Sequence, residues 1–207
     1  QANSDGKNLP ALRSGGRLLN GDTAIVDAFT AQTGAVATIF VRDGNDLVRI
    51  GTSLKKEDGH RASGTALDRT HPAHRLLLEK TGFTGRATLF GREYMTSYLP
   101  LQDATGQVIG AAFIGIDFTT GFQTLLKNLA ALKIGESGHV WIVDGKAGPK
   151  QGEVLLHPSL QGQNAKTIKD AEGTAFLTQA LEKQTGNSRY ALKDGDENHW
   201  QQGVFDT

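Results

Sequence analysis

GRATLFGREYMTSYLPLQDATGQVIGAAFIGIDF, residues 85–118, reads as two strands joined by one turn. The first strand alternates. Arg92, Tyr94, Thr96 and Tyr98 fall on one face, and Glu93, Met95, Ser97 and Leu99 on the other. Asp103-Ala104-Thr105-Gly106 is turn chemistry, because Asp bonds its own backbone and Gly supplies positive φ. Gln107 to Phe118 is nearly all apolar and carries a single acid, Asp117. A buried strand pair bearing two tyrosines, an Arg and a Thr on one face is expected to form a wall of a cavity.

Working outward toward the N-terminus, a helix is expected from a Thr70 cap, with Pro72 in its first turn, to Gly82. Ala73, Leu76 and Leu77 form its apolar stripe, and His71 and His74 are read as surface residues. They are spaced for metal, but no third ligand stands nearby, so no metal site is predicted. Before it lies GTSLKKEDGHRASGTALDRT (51–70), a long polar segment without periodicity and rich in donors. Val36 to Val41 and Leu47 to Thr52 read as a hairpin around Asp43-Gly44. A short helix is expected from an Asp22 cap to Gly34, with Ile25, Val26 and Phe29 on one side. Residues 1–20 read as an extended polar leader.

Toward the C-terminus the plan repeats. Thr119 or Thr120 caps a helix carrying Phe122, Leu125, Leu126, Leu129 and Leu132, which Gly135 closes. His139 to Asp144 and Glu153 to His157 form a hairpin across the glycine-rich turn 145–152. A helix through Phe176, Leu177, Ala180 and Leu181 follows, then a hairpin across Asp194-Gly195. Nothing after it matches the apolar strand Val108 to Phe118. The expected fold class is α+β: two modules, each an antiparallel sheet flanked by helices, with the second short of a strand.

Composition narrows the function. Lys+Arg and Asp+Glu are 22 each, which gives no basic field for nucleic acid. No Cys is present, which excludes thiol catalysis and Cys-ligated zinc. No run approaches the roughly 18 apolar residues of a membrane span. The chain opens at Gln1 without a methionine and is read as a piece of something longer. GxSxG, P-loop, GxGxxG and HExxH motifs are all missing, so neither an enzyme nor a cofactor is expected.

Asp103 to Gly110 (DATGQVIG) followed by Gly115-Ile116-Asp117 resembles the closing hairpin of an extracytoplasmic Cache sensor domain. VRIGTSLKKEDGHRASGTAL (48–67), LFGREYMTSYLPLQD (89–103) and IGESGHVWIVDGKAGPKQGEVLLHPSLQGQN (134–164) are similar to the subfamily that fuses two Cache types, Cache_3 with Cache_2. The resemblance implies two PAS-like modules, assigned here to residues 1–118, membrane-distal, and 119–207, membrane-proximal. It further implies the periplasmic domain of a bacterial inner-membrane receptor, most often a methyl-accepting chemotaxis protein. Such a receptor is a homodimer held in the membrane by segments outside this chain. Its ligand would be a small carboxylate such as formate, acetate, propionate or pyruvate, or an amino acid. A histidine-kinase or cyclic-dinucleotide output remains an alternative.

Candidate ligand residues are Arg49, Thr52, Arg61, Thr65, Arg92, Tyr94, Tyr98 and Asp117. Arg49 either meets a carboxylate in a bidentate pair or sits solvated on an exposed strand face. On a straight strand Arg49 and Thr52 cannot share a face, so a bend near Gly51 is required. Arg61 and Thr65 lie in the donor-rich loop, which is read as a mobile flap with little apolar content, and the resemblance favours both. Tyr94 and Tyr98 suit a small polar ligand or an ordinary core. Asp117 accepts from a ligand amine or caps the following helix. His139, Trp141 and His157 are kept as a second-module pocket. A non-binding spacer and a hydrolase are the competing readings.

Overall fold

The computed structural model describes residues 2–4, 6–136, 138–146, 150–183, 185–194 and 197–206. The chain divides into two compact units, Gln1–Phe122 and Gln123–Thr207.

In the first unit, β1 (Ala2–Ser4) with β2 (Lys7–Leu9), and β3 (Arg13–Ser14) with β4 (Arg17–Leu18), form two small antiparallel ribbons. The expected leader is therefore folded. Leu9, Leu12 and Leu19 are buried against Val41, Val48 and Ile50 of the main sheet. Asn20 pins this packing, accepting from Leu12 N at 2.8 Å and donating to Pro10 O at 3.1 Å. Polar composition concealed the segment, because three leucines are enough to cover one patch of sheet.

Helix α1 (Ala24–Thr33) ends at Gly34, whose φ of 73° is the left-handed stop glycine supplies. Its N-cap is Thr23, while Asp22 accepts from Ala24 N at 3.0 Å. Val26 is its buried residue, and Ile25 is exposed rather than sharing the apolar side.

The main sheet is built from β5 (Val36–Asp43), β6 (Asp46–Thr52), β7 (Phe83–Leu89), β8 (Arg92–Gln102) and β9 (Val108–Asp117). Its order is β6-β5-β9-β8-β7, antiparallel throughout. The apolar strand of the opening quotation is thus central, flanked by β5 and β8. Phe40, Tyr98, Ala111 and Phe113 pack on the inner face with Ala73 and Leu77 of α2 (Pro72–Leu78).

Helix α2 departs from expectation at both ends. His71, not Thr70, caps it, with Nδ1 accepting from Ala73 N at 3.1 Å. It stops at Leu78 rather than Gly82. Lys80 takes a φ of 63°, and Lys80 N and Thr81 N donate back to Leu77 O and Leu76 O. His74 is no surface residue either. It is buried, with Nε2 2.8 Å from Asn45 O at the β5–β6 turn.

Helix α3 (Thr119–Ala130) follows β9 and buries none of its residues. It ends before Leu132, which the expected stripe included and which is exposed beyond the helix. In the second unit, β10 (Ile142–Val143) pairs with β11 (Val154–Leu156), and β12 (Gly186–Asp194) with β13 (Glu197–Phe205). Among the described residues these are two separate two-stranded sheets. The expected strand His139 to Asp144 shrinks to two residues, interrupted by a register shift. Helix α4 (Phe176–Lys183) stops short of Gly186 and buries Phe176 and Leu177 with Val154, Ala165, Ile168 and Tyr190. The turn tips at 147–149 and at Gly195 lie outside the described residues.

Candidate functional site

The inner face of the first sheet carries the polar stripe. Tyr94, Thr96 and Tyr98 are buried while Met95 and Leu99 are exposed, as the alternation of β8 requires. Between β5 and β6, Thr38 faces Thr52 and Ile39 faces Gly51, but Phe40 faces Arg49, so Ile50 is an extra residue. This bulge turns Arg49 and Thr52 onto the same inner face, which a straight strand forbids. Gly51 is required there: a Cβ would stand 2.6 Å from the carbonyl oxygen of Asp22.

Arg49 is 4% exposed. Its Nη1 donates to Thr65 Oγ1 at 2.8 Å and to Ala66 O at 3.1 Å. The guanidinium lies over Phe40 and Phe90, 4.9 and 5.9 Å from the ring centres. Its Nε is buried without a hydrogen-bond partner, and no carboxylate pairs with it among the described residues. Burial pushes the guanidinium below its ordinary pKa, with only the field of Tyr98 opposing. A buried charge without a counter-charge is among the costliest features a fold carries.

Tyr98 is fully buried, its ring 4.7 Å from Phe113, 5.6 Å from His71 and 6.1 Å from Phe83. Its hydroxyl also has no partner. Burial pushes the phenol up to about 12, against the Arg49 charge, so it is a permanent O–H donor at neutral pH. Two orphaned donors, one cationic, are therefore buried against the same ring, Phe40. Each left unmade costs about 1–3 kcal/mol.

The remaining candidates are distributed around this pair. Thr65 is a bridge, accepting from Arg49 and donating to Ala62 O at 2.6 Å. Thr52 Oγ1 is spent on Thr38 Oγ1 and on Leu54 N. Thr96 donates to Gly85 O at 2.7 Å. Burial pushes the Tyr94 phenol up, with the Asp117 charge adding to it and Arg92 opposing.

Arg61 lies outside the cluster. It grips Asp27 of α1 at 2.7 and 3.0 Å and donates to Thr52 O at 2.7 Å, with both side chains partly exposed. Arg92 and Asp117 pair at 2.6 Å at an exposed strand end. Asp117 also accepts from Thr119 Oγ1 and from Thr119 N, the first amide of α3. Against the cost of burial, the hydrogen bonds from Thr119 and Arg92 hold its carboxyl below the ordinary range.

The long loop is not the loosely held flap its polarity suggested. Leu54, Ala62 and Leu67 are buried, and Gly64 N, Leu67 N and Arg49 N tie it to β6. Phe40, which covers Arg49 together with Phe90, was missed as a site residue.

In the second unit, His139, Trp141 and His157 do meet. Trp141 Nε1 donates to His139 Nε2 at 2.8 Å. His157 Nδ1 accepts from Ser159 N and Leu160 N, both at 3.1 Å. Its proton therefore sits on Nε2, 3.0 Å from His139 Nε2. Burial, helped by His139, lowers the His157 pKa to about 4, so His157 is neutral at pH 7. His139 and Trp141 border a cavity of about 970 Å³, with Phe176, Tyr190 and Trp200 on its walls. His157 lies behind that wall.

A five-stranded antiparallel sheet flanked by helices, with a buried cation and a buried donor on one face, defines an α+β module. The chain belongs to the Cache 3/Cache 2 fusion domain family, whose model matches residues 1–206. Among curated protein sequences, none matches it. Similar solved structures include a methyl-accepting chemotaxis protein X, at 18% identity over 86% of this chain and 71% of that one, TM-score 0.41. Another is the periplasmic sensory domain of the Campylobacter jejuni chemoreceptor Tlp1, at 15% identity over 88% and 75%, TM-score 0.40. A third is the ligand-binding domain of the Pseudomonas aeruginosa PAO1 amino acid chemoreceptor PctC in complex with GABA, at 18% identity over 83% and 74%, TM-score 0.37.

Proposed function

We propose that the chain is the periplasmic sensor domain of a bacterial inner-membrane chemoreceptor, and that its first module, residues 1–118, binds a small organic anion. Residues 119–207 form the membrane-proximal module. The domain binds and signals without catalysing a reaction, and the receptor is a homodimer. The ligand is a short-chain carboxylate such as formate, acetate, propionate or pyruvate. One observation carries this reading: the buried, uncompensated guanidinium of Arg49 has an orphaned Nε–H, and Tyr98, which packs on the same Phe40 ring and feels the Arg49 charge, has an orphaned hydroxyl. A carboxylate supplies both the missing charge and the two missing acceptors. Arg49 rather than Arg61 is the anchor, because Arg61 already holds the Asp27 carboxylate. An amino-acid ligand needs an acceptor for its ammonium group, and the candidate, Asp117, is engaged with Arg92 and Thr119.

Calorimetry with formate, acetate, propionate and pyruvate on the wild type and on Arg49→Met tests this. Binding by the wild type and loss in the variant are expected. Equal affinity in both sinks the anchor, and exclusive binding of amino acids sinks the ligand class.

A further inference from the structure

Hairpin β7–β8 closes through two residues, Phe90 and Gly91, between the paired residues Leu89 and Arg92. Their φ values are 49° and 74°, so both centre positions are left-handed. That is the geometry of a type I′ turn, for which Asn-Gly is the favoured sequence. An aromatic residue with φ > 0 is an outlier, and such outliers persist only where the surroundings hold them. The ring here packs with Leu54, Ala62 and Tyr94, and it is one of the two rings over the Arg49 guanidinium. The tip also touches the long loop, since a Cβ on Gly91 would meet Glu57 Oε1 at 3.0 Å. The turn thus uses a residue it disfavours, at the one place where the side chain reaches the buried cation.

We infer that Phe90 is a specificity-determining residue, a strained aromatic lid that shields Arg49 and offers an apolar wall to the hydrocarbon end of the bound acid. The inference rests on Arg49 being the anion anchor. It separates two demands that a core residue would join. A residue kept for stability alone would be matched by its turn, whereas here turn preference and site preference oppose each other. Replacing Phe90 by Asn relaxes the turn and removes the lid. Replacing it by Ala removes the lid and keeps the turn disfavoured. A larger ring, Tyr, keeps the lid.

The experiment compares the wild type with Phe90→Asn, Phe90→Ala and Phe90→Tyr, using propionate in calorimetry and a dicarbonyl arginine reagent followed by peptide mapping of Arg49. Asn is expected to melt above Ala, yet both should bind propionate at least about tenfold more weakly than the wild type. In both, Arg49 should become reactive toward the reagent, while Tyr should behave as the wild type. Wild-type affinity or an unreactive Arg49 in the Asn variant overturns the inference. So does affinity that follows melting temperature, with Asn recovering what Ala loses. A wild type that binds no acid, but whose Arg49 turns reactive only when the ring is removed, refutes the carboxylate and leaves the lid standing.

Discussion

The two units bury polar side chains among aromatic rings in opposite ways. In the first, Arg49 and Tyr98 keep donors that nothing in the described protein accepts. In the second, Trp141 and His157 spend theirs on His139, and backbone amides fill the remaining His157 nitrogen. The second arrangement closes its own hydrogen bonds, as a structural core should. The first holds a charge and leaves bonds unmade, which a fold tolerates where a ligand completes them. Residue type alone does not separate the two cases, because both are cation-capable groups beside aromatics. Satisfaction of donors does.

Arg49→Met should break the contrast most completely. Loss of a charged hydrogen bond worth about 1.5–3 kcal/mol implies up to about a hundredfold weaker binding of the acid, read by calorimetry. The melting temperature of the ligand-free protein should not fall, because an apolar chain replaces an uncompensated charge. A large drop would make Arg49 structural, like the histidines.

Acid sharpens the other side. The pKa of His157 is depressed in the folded state to about 4, against 6.5 for an ordinary imidazole. The unfolded chain therefore takes the proton first. The contribution is complete above about pH 6.5 and is lost as pH falls toward 4, by roughly 2 kcal/mol. Urea unfolding between pH 7.5 and 4.5 should show this slope, and His157→Asn, whose side-chain oxygen can still accept from the amides, should flatten it.

A smaller effect is expected at Thr65→Val, which removes one acceptor of Arg49. Affinity should fall about fivefold, in line with a net hydrogen bond of about 1 kcal/mol. The smallest belongs to Arg61→Ala. Its pair with Asp27 is partly exposed, so affinity should change by less than about twofold. A tenfold loss there would return Arg61 to the site.

Much of the first sheet was legible because its signals are local. The alternation in β8 predicted which face Tyr94, Thr96 and Tyr98 share, and Asp103–Gly106 predicted the turn. The need for a bend near Gly51 was also readable, since Arg49 and Thr52 are an odd number of residues apart. What could not be read was whether each candidate was already occupied. Arg61 and Asp27 are 34 residues apart, and nothing in either segment announces the pair. His74 looked like a surface histidine until the β5–β6 turn delivered Asn45 O to it.

The sequence by itself determined the order from α1 to α2, the hairpin β8–β9 with the stripe on β8, and the absence of thiol chemistry. Each follows from side-chain period, turn residues or composition, which act over a few positions. It read residues 85–118 as two strands, however, where the turn at Phe90-Gly91 makes a third, β7. Tertiary structure alone decided that the polar leader packs its leucines on the sheet, that Ile50 bulges, that Phe90 is left-handed over Arg49, and that Asp117 serves Arg92 and Thr119. These depend on which distant backbone and charge arrive beside a residue. A buried donor is satisfied or orphaned only once the whole chain has closed around it.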